Sequence, residues 1–293
     1  MASPSASIIT APVAAFPVDR LAFFLGGRDL EMATIRELLD AEPVGAVVDY
    51  RLAWGASAAA YVADIDDALR RGLVPVLVEL DLAATPELRA HTILATDARA
   101  GDRSLGDGAI IVVDHHGPLA GADRPTSLEQ VLDLLGARAR RWSRWYELVA
   151  ANDRGHVAEM LAHGATLPEL HAVRAADRLA QGITSDEETE GTRAADAAER
   201  PCDGLTIVRL AHDRTAPVVD RLDAALGGPG YDTLLVRTPV ATHVFADGAT
   251  VASLNTTLPG GWYGGALPAR GFWGRNGPGD DVEAFLVRRI CGA

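Results

Sequence analysis

Short runs of consecutive apolar residues alternate with segments of helical periodicity over the first 116 residues. Continuous apolar strands separated by helices are typical of a parallel sheet that is covered on both faces. Sheets of this kind bind ligands in the crevice beyond the carboxyl ends of their strands. The pattern therefore predicts an α/β fold, a parallel sheet with helices on both faces, whose strands fall within residues 21–27, 44–50, 74–82 and 109–116.

The pattern becomes helical between about residues 127 and 199. Beyond residue 200 apolar runs return around a further helical segment, and Asp247 and Gly248 between two strand-like runs predict a β-hairpin. We therefore expect three regions along the chain. They are an α/β domain over residues 1–126, a helical linker over residues 127–200 and a smaller C-terminal α/β domain over residues 201–293.

The charge and composition of the chain limit its partners. A net charge of −13 disfavours long nucleic acid, because an acidic surface repels a polyanion. The same charge leaves room for a small phosphorylated ligand that a metal and a few arginines hold. All 27 basic residues are arginine, which excludes a Walker-A phosphate loop and a Schiff-base lysine.

Neither a leader nor a membrane segment is predicted. The N-terminus lacks the basic region of a signal peptide, and no apolar run is long enough to cross a bilayer. Cys202 and Cys291 lie far apart and form no CxxC pair, so neither a disulfide framework nor a structural zinc site is expected. These features predict a cytoplasmic protein without a membrane partner. The sequence leaves a homodimer open.

Residues 109–118, AIIVVDHHGP, carry the chemistry of the first domain. An apolar strand there runs directly into Asp114, His115 and His116. Carboxylate and imidazole groups at the carboxyl end of a parallel strand can bind a divalent transition metal such as manganese, iron, cobalt or zinc. In the alternative interpretation one histidine caps a helix and the other lies on the surface. We favour the metal site.

This stretch resembles the DHH phosphoesterase superfamily, which is named after the tripeptide. The resemblance implies a parallel α/β domain, a helical linker and a C-terminal domain, with one or two divalent ions, usually Mn²⁺. It also implies that water activated by the metal hydrolyses a phosphoester. The first motif of the family, His-x-x-x-Asp-x-Asp, corresponds here to Leu25, Asp29 and Glu31, so its histidine is missing.

The resemblance assigns metal ligands to five positions: Asp29, Glu31, Asp81, His115 and Asp153. Asp81 ends an apolar run and shares a strand face with Glu79 by alternation, and Asp97 competes for the same motif. Asp49 is a candidate to replace the missing histidine. The alternative for Asp153 is that it breaks a helix and caps the next one.

Further roles follow from the same resemblance. Asp114 is expected to orient the metal-bound His115, and His116 is expected to contact the substrate or the leaving group. The candidates for binding a phosphate or carboxylate are three arginines: Arg124, Arg270 and Arg275. Three aromatic residues near the last two either stack on a substrate ring or pack on the domain: Trp262, Tyr263 and Trp273.

We therefore expect a metal-dependent hydrolase, a phosphoesterase or phosphodiesterase of a small nucleotide or another phosphorylated metabolite. Two alternatives remain open, because a fold does not determine a function. One is a metalloenzyme on the same scaffold that acts on a non-phosphate substrate. The other is a non-catalytic ligand-binding module.

Overall fold

The structure is a computed structural model of the chain, and it describes residues 17–95, 108–116, 124–265 and 267–292. It divides into two compact units, Met1–Ala150 and Ala151–Ala293. This division has one boundary, after Ala150, whereas the sequence predicts boundaries near residues 126 and 200. The three-region organisation stays a prediction. Among the described residues, no helix is both long enough and apolar enough to cross a membrane.

The first unit contains a five-stranded sheet in which every strand is parallel to its neighbours, in the order β2-β1-β3-β5-β4. Its strands are β1 (Leu21–Leu25), β2 (Ala46–Val48), β3 (Val74–Val78), β4 (Thr92–Leu94) and β5 (Ile110–Val113). Its helices are α1 (Leu30–Asp40), α2 (Val62–Arg70), α3 (Pro86–Arg89), α4 (Ser127–Leu134) and α5 (Arg138–Arg141). Short 3₁₀ turns cover Val18–Arg20 and Ala58–Tyr61. The predicted α/β fold is confirmed.

Both faces of this sheet are buried, as the continuous apolar runs predict. Phe24 of β1 pairs with Leu77 of β3, and both pack in one core cluster with Ile65 of α2. Phe23 pairs with Val76 and points to the opposite face, because successive strand residues alternate. Since Phe23 and Val76 are also fully buried, the second face is covered as well. Polar groups from this sheet therefore reach solvent chiefly at the strand ends.

The second unit contains a mixed six-stranded sheet in the order β10-β11-β9-β8-β7-β6, in which only β7 and β8 pair in parallel. The strands are β6 (Glu199–Cys202), β7 (Leu205–Arg209), β8 (Thr233–Arg237), β9 (Ala241–Ala246), β10 (Trp262–Gly264) and β11 (Gly271–Asn276). The helices are α6 (Arg144–Ala162), which begins before the boundary, α7 (Leu167–Ala180), α8 (Ser185–Asp196), α9 (Ala216–Leu222), α10 (Gly248–Thr257) and α11 (Asp280–Leu286). A 3₁₀ turn, Ala224–Leu226, and a π-helical segment, Val287–Cys291, complete it.

The predicted hairpin at Asp247 and Gly248 is wrong. Asp247 is the N-cap of α10, and its side chain accepts the backbone N–H of Thr250 at 2.8 Å. Val251 and Leu254 then face the core at helical spacing. An Asp before a segment with apolar residues at helical spacing starts a helix as readily as an Asp-Gly pair turns a hairpin. Burial of the apolar helix face favours the helix here.

The expectation that the two cysteines are not paired is also wrong. Cys202 at the end of β6 and Cys291 at the end of the π-helical segment form a disulfide, with their Cα atoms 5.6 Å apart. Both side chains border the apolar core of the second unit. The pairing arises because an edge strand and the C-terminal segment meet in the fold, and their distance in sequence does not indicate that contact.

Removal of this disulfide is expected to destabilise the second unit. The bond joins residues 89 positions apart, and such a crosslink stabilises a fold by about 2–4 kcal/mol, mainly by constraining the unfolded chain. We expect the Cys202→Ser/Cys291→Ser variant to lose about that much free energy of unfolding in a urea titration. Wild-type protein treated with dithiothreitol is the control and should match the variant. Identical transitions for the oxidised and reduced wild type would contradict the prediction.

Candidate metal centre

Chemically active side chains converge at the carboxyl edge of the first sheet. The central strands β1, β3 and β5 are adjacent and parallel, so their carboxyl ends meet at one edge. Glu79 directly follows β3, and His115 and His116 follow β5 after one intervening residue. Glu31 lies in the first turn of α1, the helix that follows β1. The ends of β3 and β5 and the start of α1 thus bring two carboxylates close to two imidazoles.

The distances within this cluster are short. His115 Nε2 lies 3.7 Å from Glu31 Oε2 and 3.5 Å from Glu79 Oε1, and His116 Nδ1 lies 3.7 Å from Glu79 Oε1. One ligand atom from each of Glu79, His115 and His116 lies within 4.8 Å of the others. The side chains of Glu31, Glu79 and His115 are at most 10% exposed. Positive charge nearby, from an imidazolium or a metal ion, would stabilise two buried carboxylates that lie this close to the same imidazole.

The donor atoms fit a divalent transition metal. Glu79 Oε1 is buried and accepts no hydrogen bond from any residue that the structure describes. Buried carboxylate oxygens without such partners are costly, and a cation at that position would remove the cost. Imidazole nitrogens with carboxylate oxygens form the mixed ligand set that manganese, iron, cobalt and zinc accept. The residues present therefore match the group that the D-H-H tripeptide implies.

Asp114 contacts His116, whereas the expected contact was with His115. The Oδ1 atom of Asp114 accepts the backbone N–H of His116 at 2.8 Å and lies 3.3 Å from His116 Nδ1. Burial by itself raises the pKa of the Asp114 carboxyl. The hydrogen bonds from His116 and the charges of both histidines outweigh that effect and hold this pKa below its usual range. Asp114 therefore fixes the turn that presents the two rings.

The two acidic residues of the first motif have different contacts. Asp29 is the N-cap of α1, and its Oδ1 accepts the backbone N–H of Met32 at 2.8 Å. Glu31 is buried, and its Oε1 accepts the backbone N–H of Leu128 at 2.9 Å while Oε2 faces the histidine cluster. Leu25, at the position of the missing histidine, is fully buried within β1. Glu31 therefore joins the first motif to the histidine cluster, since its Oε2 lies 3.7 Å from His115 Nε2.

Glu79 occupies the place beside the histidines that the resemblance implied for Asp81. Asp81 is exposed, and its Oδ1 accepts the backbone N–H of Ala83 at 3.0 Å. Strict alternation after β3 fails because Glu79 has a φ of +51°, in the left-handed region. The competing candidate Asp97 lies outside the described residues. Asp49 accepts the backbone N–H two residues further on at 2.7 Å.

Asp153 lies in α6, three residues inside the second unit. The helix breaks two residues after it, at Gly155 and His156, where His156 has a φ of +59°. The break therefore follows the Asn152–Asp153 pair, which itself stays helical. Left-handed backbone at a residue other than glycine costs on the order of 1–3 kcal/mol and persists only where its surroundings enforce it.

A buried ionic network in the second unit fixes this part of α6. Arg174 donates to Asn152 Oδ1 at 2.9 Å, to Asp177 Oδ2 at 2.6 Å and to Asp220 Oδ1 at 3.0 Å. Its side chain is 3% exposed. Burial and the charges of Arg174 and Arg270 together lower the pKa of the neighbouring His156, although Asp177 opposes them, so its ring is neutral near pH 7. Arg174 ties α6, α7 and α9 together.

The three candidate substrate-binding arginines differ in their surroundings. Arg270 lies over the ring of Tyr231 at 4.4 Å and donates to the backbone carbonyl of Tyr231 at 3.2 Å. Arg275 forms an ion pair with Asp281. Arg124 is exposed. The pairing with Asp281 offsets the charge of Arg275, so Arg270 and Arg124 keep the stronger case as anion ligands.

The three aromatic residues near these arginines differ in how far their side chains are exposed. Trp273 is fully buried in the core of the second unit, which confirms packing for this residue and excludes stacking on a substrate. Trp262 packs edge-on against His243, with ring centres 6.1 Å apart. Tyr263 is exposed. Of the three, Tyr263 alone presents most of its side chain to solvent.

No protein-family model matches the chain, and no curated protein matches it. Solved structures show a weak likeness. The exonuclease RecJ bound to manganese is 14% identical over 96% of this chain and 96% of that chain, with a TM-score of 0.43. RecJ from Thermus thermophilus, in complex with Mn²⁺, is 14% identical over 92% of this chain and 51% of that chain, with a TM-score of 0.45.

The pGpG-specific phosphodiesterase PggH from Vibrio cholerae is 12% identical over 93% of this chain and 99% of that chain, with a TM-score of 0.37. All three TM-scores lie below 0.5, and at such values a likeness carries no argument about function. The function of the chain is therefore inferred from its own residues.

Loss of the Arg174 guanidinium should destabilise the second unit. Arg174→Met leaves the buried carboxylates of Asp177 and Asp220 without their shared partner, which typically costs about 3–5 kcal/mol. A urea titration, which gives the free energy of unfolding, measures this loss of stability. Arg193→Met is the matched control, because Arg193 forms an exposed pair with Glu190, and such pairs contribute up to about 1 kcal/mol. Equal losses in the two variants would refute a structural role for the network.

Proposed function

We propose that the chain is a metal-dependent hydrolase, a phosphoesterase or phosphodiesterase of a small nucleotide or another small phosphorylated metabolite. The observation that carries this proposal is the cluster at the carboxyl edge of a parallel sheet in which Glu31, Glu79 and His115 are largely buried and His116 is partly exposed. Sheets of this class bind their ligands at that edge. The reaction class comes from the resemblance of the D-H-H tripeptide to the DHH phosphoesterases.

Glu79, His115 and His116 are proposed to hold a divalent cation, with Glu31 as the further carboxylate beside His115. Glu79 takes the role that the resemblance implied for Asp81. Mn²⁺ is the proposed ion, and one or two ions are compatible with the donors. Asp29 and Asp153 stay proposed ligands on the resemblance alone. Such an ion, when bound, acidifies water and offsets negative charge on a phosphoryl group.

The remaining polar residues act on orientation and on the substrate. Asp114 holds both the backbone and the ring of His116, and a carboxylate that fixes an imidazole near a metal also raises its basicity. The His116 side chain is 45% exposed, so it is accessible to a substrate or leaving group. In the second unit we propose Arg270 as a phosphate ligand, since a guanidinium that is stacked on a ring is already oriented for bidentate contact.

One observation favours a second candidate function. Leu25 is a fully buried apolar residue where the family's first motif has a metal-binding histidine. A first motif without that imidazole allows a metalloenzyme on the same scaffold that acts on a non-phosphate bond, because a fold does not determine a function. A non-catalytic binding module is the third possibility, and it requires that bound metal gives no turnover. The net charge of −13 favours a small substrate in each case.

Metal affinity should depend on Glu79 and His115 and not on Asp81. We expect Glu79→Gln and His115→Ala to weaken Mn²⁺ binding more than the roughly 10–100-fold that follows loss of a partner outside the ligand set. Asp114→Asn should fall within that range. Calorimetric titration of metal-free protein measures the affinities, and elemental analysis after dialysis gives the number of ions per chain.

Two variants in the same unit act as controls. Asp81→Asn removes a carboxylate that caps a local turn, and His91→Ala removes an exposed imidazole, so both should bind Mn²⁺ as the wild type does. If Asp81→Asn loses the metal and Glu79→Gln keeps it, the assignment of Glu79 is wrong. If wild-type protein binds Mn²⁺ but hydrolyses none of a panel of phosphomonoesters and phosphodiesters, the phosphoesterase proposal fails and the two other candidates remain.

A further inference from the structure

The loop between β2 and the 3₁₀ turn at Ala58–Tyr61 crosses the carboxyl edge of the first sheet. Leu52 forms a parallel bridge with Gly27, just beyond the end of β1. Four residues later, Ala56 accepts the backbone N–H of Asp81, beyond the end of β3, at 2.8 Å. Backbone hydrogen bonds at both points fix the loop across the two strand ends. Residues 53–55 therefore lie at the same edge of the sheet as Glu79 and the candidate metal centre.

Two glycines place Trp54 close to Glu79. A Cβ atom on Gly27 would lie 2.7 Å from Trp54 Cα, and a Cβ atom on Gly26 would lie 2.6 Å from the carbonyl oxygen of Glu79. Real Cβ atoms do not approach other atoms this closely, so both contacts require glycine. The backbone of Trp54 thus touches Gly27, and the backbone of Glu79 touches Gly26. With neighbouring strands about 4.8 Å apart, Trp54 is on the order of 10 Å from Glu79.

Two aromatic side chains of this loop are exposed. Trp54 is 68% exposed and Tyr50 is 51% exposed. The ring of Tyr50 stacks on that of Tyr61 at 4.7 Å, and its hydroxyl donates to Asp64 at 2.7 Å. The Tyr61 hydroxyl in turn accepts the backbone N–H of Tyr50 at 3.0 Å. The loop that carries Trp54 is therefore held rigidly while its indole faces solvent.

We propose that Trp54 is a specificity-determining residue that stacks on a nucleobase, with Tyr50 bordering the same surface, so that the substrate is a nucleotide. This inference rests on the proposed function, because it takes the substrate phosphate to bind at the metal centre. An exposed indole on a rigid loop offers a planar face on which a nucleobase can stack. The backbones of Trp54 and Glu79 lie on the order of 10 Å apart, which is compatible with a ligand that carries a ring at one end and a phosphate at the other.

Binding of two phosphonates in the presence of Mn²⁺ tests the proposal. The probes are the phosphonate analogue of adenosine 5′-monophosphate, whose P–C bond resists hydrolysis, and the matching analogue of ribose 5-phosphate, which lacks the base. Calorimetry should show that Trp54→Ala weakens binding of the adenosine probe about 10- to 100-fold and leaves the ribose probe unchanged. Trp54→Phe should restore most of the affinity, since phenylalanine also stacks.

Trp145→Ala is the matched control. Trp145 is a partly exposed tryptophan at the start of α6, before the boundary at Ala150, and so lies in the same unit as Trp54. The Trp145→Ala variant should bind both probes as the wild type does. The proposal is overturned if the wild type binds the two probes equally, or if Trp54→Ala weakens neither probe or both alike. It is also overturned if Trp54→Ala changes the oligomeric state in sedimentation experiments, because the exposed rings would then form an interface between copies of the chain.

Hydrolysis separates this inference from the proposed function. If wild-type protein cleaves phosphoesters but Trp54→Ala has no effect that depends on the base, the inference fails and the phosphoesterase stands. If the adenosine probe binds through Trp54 but no phosphoester is cleaved, the phosphoesterase fails and nucleotide recognition stands.

Discussion

The structure depends on how a deeply buried carboxylate is accommodated. The Glu31 side chain has no exposed surface, and it lies between the backbone N–H of Leu128 and the imidazole of His115. A carboxylate in such a place is tolerated only when hydrogen bonds and positive charge surround it. Glu31 Oε1 accepts a hydrogen bond at the N-terminus of α4, where the peptide dipoles favour negative charge, and Oε2 faces His115. A single side chain therefore links α1, α4 and the end of β5.

The parallel sheet explains why these groups meet at all. Its strands are apolar on both faces and leave no room for polar side chains except at their ends. The adjacency of β1, β3 and β5 then brings Glu31, Glu79 and His115 to one edge. The pair Gly26–Gly27 lets the backbones after β1 and β3 and the loop after β2 approach closely. The close backbone approach that these glycines allow, as much as charge, determines which side chains meet in the candidate centre.

The sequence predicts the elements better than it predicts the side-chain partners. Runs of apolar residues indicate the parallel sheet, and the position of His115 after such a run indicates where the candidate metal centre lies. Glu79 is harder to identify, because a left-handed φ sets the direction of its side chain. Positive φ is uncommon at residues other than glycine, so the sequence does not indicate it at a glutamate. Asp247 is compatible with two local structures, and burial decides between them. The Cys202–Cys291 bond depends on two chain segments that meet only in the folded unit.

The proposed metal centre requires that Glu79, His115 and His116 surround one divalent cation. Anomalous diffraction from crystals grown with Mn²⁺, measured on both sides of the manganese absorption edge, tests it directly. We expect a manganese peak within bonding distance of the Glu79 carboxylate and of at least one of the two imidazoles. Peaks only at surface carboxylates, with the three side chains in direct contact and no ion between them, would contradict it.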